Sequence, residues 1–189
     1  LSLIKSLYLT FLQVYIIVLK FSAKGDIMFS TIDWLAVIII GIGATALLDV
    51  WALLLSKFGI NSLNFCIVGR WLCLMRYGKW KHLAISKTAA QPNECAIGWF
   101  SHYFIGVIFA LVFILLLPNH WLTAPSLMPA LFFGVLTVVI PFFLMQPALG
   151  LGIAAAKTSK PITARIKSIL SHAVFGVGLY LSALALSLF

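Results

Sequence analysis

Trp34 to Leu55 reads WLAVIIIGIGATALLDVWALLL, an apolar run broken by one charged residue, Asp49. About 20 such residues in a helix cross the hydrocarbon core of a bilayer. Three more stretches obey the same rule: Ala96 to Leu117, Leu127 to Leu149 and Ile169 to Phe189. None has the alternating pattern of a barrel strand, so each is expected to be a helix that satisfies its own backbone. Pro118, Asn119 and Pro125 punctuate a short link between the second and third spans. The expected fold is therefore all-α, a polytopic bundle of four helices in two hairpins of parallel orientation. A long loop that lies at the membrane surface comes after the first span.

Composition agrees. Of 189 residues, 63% are hydrophobic and 9% charged, and the mean hydropathy is +1.13. A water-soluble domain carries about 25% charged residues. The net charge of +9 could suggest nucleic acid, but the cations flank apolar runs instead of forming a soluble face. No nucleic acid is expected.

The cations instead set topology. Lys57, Arg70, Arg76, Lys79, Lys81 and Lys87 fall between the first two spans, and Lys157, Lys160, Arg165 and Lys167 between the last two. The link between spans two and three has none. The positive-inside rule puts both basic loops in the cytoplasm and both ends of the four-helix core on the outer side. In a reducing compartment Cys66, Cys73 and Cys95, which lack metal-ligand spacing, are expected to be free thiols.

Residues 1–27 form a weakly hydrophobic extension. Leu3 to Leu19 is short, contains Gln13, and would leave Lys20 and Lys24 outside if it spanned. Translation is expected to start at Met28, which makes 28–189 the four-helix domain.

Polar residues inside spans are the informative ones. Gly41, Thr45 and Asp49 are four apart and share one helix face. Asp49 lies about 12 Å along the axis from Lys57, in the inner half of the bilayer. The second span has Gly98, His102, Gly106 and Ala110; the fourth has Ser168, His172, Gly176 and Tyr180. The shared order of small residue, His and Gly reads as a weak internal repeat about an axis along the membrane normal. Pro141 should kink the third span, and Gln146 lies near its inner end. Asp49, His102, Gln146 and His172 thus fall in one layer.

Two readings of that layer stand side by side. It is a hydrogen-bonded cluster that fixes packing, each bond contributing about 0.6 kcal/mol. Alternatively it is a binding or proton-relay site of a small transport module. Two His and one Asp have no metal-site spacing here, so neither metal nor cofactor is expected. Ser101-His102 and Ser171-His172 project about 100° apart on a helix, which makes no nucleophile-base pair. No P-loop, hydrolase elbow or dinucleotide fingerprint is present, and enzyme activity has little support.

Asn64 to His82 interleaves aromatics with Arg70, Arg76, Lys79 and Lys81, a pattern suited to a membrane surface rich in anionic headgroups. Asn61, Asn64, Arg70 and Trp71 are candidates for a cytoplasmic lid or a headgroup contact. Beyond the bilayer, the expected partner is a second copy of the chain, since four helices rarely enclose a path alone.

Several runs resemble a family of bacterial membrane proteins, the domain of unknown function 2938. They are Gly41-x-Gly43-Ala44-Thr45-x-x-x-Asp49-x-Trp51, Val68-Gly69-Arg70-Trp71 and Gly98-Trp99-x-x-His102-Tyr103-x-x-Gly106. Pro141-Phe142-Phe143-x-Met145-Gln146-Pro147 and His172-x-x-Phe175-Gly176-x-Gly178-Leu179-Tyr180 complete the set. The likeness covers about Ile32 to Leu181. It implies an inner-membrane protein and no established activity.

Overall fold

The computed structural model describes residues 31–60, 62–117 and 121–188. The N-terminal extension 1–27, the expected start at Met28, Asn61, and Pro118 and Asn119 of the expected turn lie outside them. The chain divides into two compact units, Leu1–Leu35 and Ala36–Phe189, and the second holds the bundle.

The described residues are helical, with no strand among them. Helix α1 is Thr31–Lys57, α2 is Phe65–Met75 and α3 is Glu94–Leu116. Helix α4 is Leu127–Leu136, α5 is Gln146–Leu149 and α6 is Pro161–Leu186. Four segments are long and apolar enough to cross a membrane: Trp34–Lys57, Glu94–Leu116, Leu127–Leu149 and Pro161–Leu186. The last begins eight residues before the expected Ile169. Pro161 opens its first turn, where the missing N–H of proline is no loss. Arg165 and Lys167 therefore lie on α6 and not in a loop.

Small residues let the helices meet, as packing without a hydrophobic driving force requires. A Cβ on Gly41 would stand 2.5 Å from Val107 Cα of α3, and one on Gly178 would stand 2.7 Å from Ala44 Cα of α1. Gly134 of α4 faces Gly176 of α6 as closely, with 2.5 Å from its Cβ to the Gly176 Cα. So α1 packs on both α3 and α6, and α4 on α6. Val37, Ile40, Ala44, Phe113 and Leu179 form the dry centre. Phe100, Leu53 and Phe132 point outward, as lipid-facing residues should.

The third span is not a continuous helix. Regular α4 stops at Leu136, and Pro141–Met145 form a π turn before α5. Pro141 has no N–H to give the carbonyl one turn back. The chain widens instead, and the Gln146 N–H bonds Pro141 O, five residues earlier.

The long loop after α1 folds onto the end of the bundle. Asn64 caps α2 by accepting the Cys66 N–H at 2.9 Å. Helix α2 then runs antiparallel to the start of α3, touching it where Gly69 meets Glu94 and Gly98 meets Phe65. Trp71, Leu74, Ile85 and Leu149 make a second small core that joins this loop to the end of the third span. The His82 N–H bonds Ala148 O at 2.8 Å across the same junction.

The expectation of three free thiols is overturned. Cys66 and Cys95 form a disulfide, and only Cys73, which is buried, is a free thiol among the described residues. The cause is the antiparallel contact of α2 with α3, which brings together two positions 29 apart in sequence. Spacing alone holds no sign of it.

Candidate functional site

Where the loops cover the bundle, the helices leave a cavity of about 480 Å³. Thr45, Asp49, His102, Gln146 and His172 all line it, and so does Trp71 of α2. Asn64 and Arg70 do not.

Asp49 sits on the α1 face that Gly41 and Thr45 clear for α3. His102 Nε2 donates to its Oδ1 at 3.0 Å, and the Tyr103 hydroxyl donates to its Oδ2 at 2.8 Å. Phe65, the first residue of α2, stacks on the His102 ring at 3.9 Å between centroids. The imidazole is thus held by a carboxylate at its edge and an aromatic ring on its face. One turn beyond, Gly106 leaves room for Thr45, whose hydroxyl bonds Gly41 O at 2.7 Å.

His172 on α6 has another partner. Its Nδ1 lies 2.7 Å from Thr137 Oγ1, and that hydroxyl donates to Gly134 O at 2.6 Å. A threonine hydroxyl has one proton, so Nδ1 carries the hydrogen of the first contact. Thr137 stands where α4 loses its regular hydrogen bonding. The irregular backbone therefore lines the cavity, as irregular structure at membrane depth must.

Gln146 comes directly after the π turn and is 6% exposed, yet its Oε1 has no hydrogen-bond partner. Native structures satisfy most buried polar atoms, so an orphaned buried acceptor is notable.

The other loop candidates have partners in the loop or at the start of α3. Arg70 Nε and Nη2 bond the two oxygens of Glu94 at 2.8 and 2.7 Å, and Nη1 bonds Thr88 O at 2.8 Å. Glu94, through these hydrogen bonds, holds the guanidinium above its ordinary pKa. Trp71 Nε1 donates to Trp80 O at 2.8 Å. The second loop is tied by Arg165 Nε to Ala154 O at 2.8 Å. Among the described residues no cluster of three or more His, Cys, Asp or Glu side chains could hold a metal ion.

Sequence reasoning passed over Phe65, Tyr103, Thr137 and Glu94. Tyr103 was within reach, since it adjoins His102 in the Gly98-Trp99-x-x-His102-Tyr103 run. The others act through contacts 24 to 35 residues long or through stacking, which helical periodicity does not encode.

No curated protein and no solved structure matches the chain. Residues 38–186, nearly the whole bundle, match the family described as "Protein of unknown function (DUF2938)", and the chain belongs to that family.

Proposed function

We propose that this multi-pass membrane protein is a small transport or ligand-binding module whose site is the Asp/His-lined cavity. The observation that supports it is the lining of one cavity by Asp49, His102, Gln146 and His172, beside the broken third span. Transporters use such interrupted helices to place polar atoms at a membrane-depth site. Asp49→Asn keeps the side chain's shape and removes its charge. Reconstituted into liposomes, the variant should fold as the wild type does and lose pH-dependent flux. Flux equal to wild type sinks the reading.

A second reading takes the cluster as structural in a membrane scaffold or interaction partner. The full hydrogen bonding of Asp49 by His102 and Tyr103 favours it. Under that reading a chain carrying both Asp49→Asn and His102→Gln works normally in the cell.

We infer further that the protein sits in a bacterial inner membrane with both basic loops in the cytoplasm and both ends of the core on the periplasmic side. All ten cations after residue 28 lie on the loop side of the bundle, which supports this. Exposed Lys79, Lys81, Lys157 and Lys160 then meet anionic headgroups. The Cys66–Cys95 bond makes the opposite demand, because the cytoplasm keeps thiols reduced. An impermeant maleimide applied to intact cells separates the two. Loops inside leave every cysteine unlabelled until lysis, and then Cys66 and Cys95 react without added reductant. Labelling from outside after reduction reverses the orientation.

A further inference from the structure

The loop that covers the cavity is joined to the bundle by a bond whose place is at odds with a fixed staple. Cys66 is the second residue of α2 and Cys95 the second of α3, and the two are bonded. Cys95 is exposed and Cys66 half-buried, which leaves the bond open to a small thiol from the Cys95 side. Cys73, the free thiol, is 6% exposed and takes no part in such an exchange. With the basic loops inside, this end of the molecule faces the cytoplasm. Disulfides in most proteins there are transient and serve catalysis or redox sensing. Exposed disulfides are also the labile ones.

The bond bears on one particular part of the cavity wall. Phe65, next to Cys66, lines the cavity and stacks on His102 at 3.9 Å between centroids. Ser62 and Leu63, in the link before α2, line it too. One turn along α2, Arg70 grips Glu94, the neighbour of Cys95, through two hydrogen bonds. Trp71 and Leu74 are packed with Ile85 and Leu149. With the disulfide open, the later turns of α2 therefore keep their ties. The first turn keeps the contacts of the Phe65 ring with Trp99 and His102 and of Phe65 O with Gly98, which are neither covalent nor charged.

We propose that the Cys66–Cys95 bond is a redox-switched clasp on the first turn of α2, closed by exchange with a small disulfide of the glutathione kind and opened by the matching thiol. In closing, the exposed Cys95 thiolate attacks one sulfur of the small disulfide and expels one thiol. The Cys66 thiolate then attacks the mixed disulfide at the Cys95 sulfur and expels the second. The two protons lost by the cysteines end on the two released thiols, and the reverse sequence opens the bond. Closed, the clasp holds Phe65 on His102 and shuts that wall of the cavity. Open, segment 62–66 swings away and His102 meets solvent. The clasp rests on the inside placement of the loops for its exchange partner, and not on what the cavity binds.

The test uses the full chain in phosphatidylcholine nanodiscs, poised in buffers that run from excess glutathione disulfide to excess glutathione. Gel shift after trapping with a maleimide-linked polyethylene glycol counts open bonds. Hydrogen exchange read by mass spectrometry follows residues 62–69 against α6. The bond should open and close reversibly across the series. Opening should speed exchange in 62–69 about tenfold and leave α6 unchanged. A chain with Cys66→Ser and Cys95→Ser should exchange as the open form in every buffer. Its His102 should react with diethyl pyrocarbonate faster than in the closed wild type, measured against His82. A bond that excess glutathione leaves intact overturns the proposal, and so does an open bond with unchanged exchange in 62–69 and unchanged His102 reactivity. Faster exchange in α6 as well makes the bond a staple of the whole bundle and overturns it too. These outcomes do not depend on orientation, which maleimide labelling of cells reads separately.

Discussion

His102 and His172 hold matching places in the two hairpins, and their surroundings differ in kind. Each follows a small residue by four positions and precedes a glycine by four, and each reaches a polar side chain on the partner helix. His102 meets a carboxylate that also binds Tyr103, with the Phe65 ring stacked on its face, and its partner helix α1 is unbroken. His172 meets a lone threonine hydroxyl, and its partner span is interrupted within five residues of that threonine. The same small-His-Gly sequence thus builds one half around a carboxylate and an unbroken helix, and another around a hydroxyl and an interrupted span. Repetition sets where the histidines stand. The partner helix decides their chemistry.

The largest difference should show where each hairpin ties down its basic loop. Arg70 and Glu94 form a bidentate pair with side chains 14% and 11% exposed. Arg70→Ala leaves a nearly buried carboxylate unpaired and should cost about 4 kcal/mol. Arg165→Ala removes one bond to the Ala154 carbonyl and should cost about 1 kcal/mol. Unfolding in detergent gives both values. Arg70→Met combined with Glu94→Leu should recover most of the loss, because it leaves no charge stranded. Equal costs at Arg70 and Arg165 would erase the distinction between the two loops.

Those loops also mark the limit of what the sequence makes legible. Four spans can be read from length and hydropathy, and the break in the third from Pro141, because those signals are local. Asp49 and the histidines, assigned to one layer from their distance to the flanking cations, line one cavity. The bonds within the layer are not legible, since Asp49 meets Tyr103 54 positions away, beyond any helical period. The Cys66–Cys95 pair and the Arg70–Glu94 pair both depend on α2 folding back against α3. That fold depends on Gly69 and Gly98 allowing backbone contact. In the sequence alone Gly69 interrupts an aromatic, basic stretch and reads as a breaker.

Steric tolerance at the glycine after each histidine should differ less, but in the same sense. A Cβ at Gly176 would stand 2.6 Å from Ala130 O and 2.9 Å from Leu131 Cα, both backbone atoms of α4. Backbone cannot move aside without shifting the helix, so Gly176→Ala should cost about 3 kcal/mol. At Gly106 the nearest obstacle is the Thr45 hydroxyl, with Gly41 O at 3.3 Å. A side chain can be trimmed or turned, so Gly106→Ala should cost about 1 kcal/mol, and Thr45→Ala should rescue it. Absence of that rescue would mean the close contact of α1 with α3 is set by backbone after all.

The smallest test compares the partners of the two histidines one hydrogen bond at a time. Tyr103→Phe takes from Asp49 one of its two donors and leaves a charged oxygen less satisfied. Thr137→Val takes from His172 its acceptor at nearly constant volume. Interhelical hydrogen bonds in membranes average about 0.6 kcal/mol and reach about 1.7 kcal/mol, and those to ionised groups lie toward the high end. Tyr103→Phe should therefore cost about 1.5 kcal/mol and Thr137→Val about 0.6 kcal/mol in the same unfolding measurement. The reverse order would mean that His102 alone satisfies Asp49. The charge would then belong to the hairpin with the broken span as much as to the one that carries it.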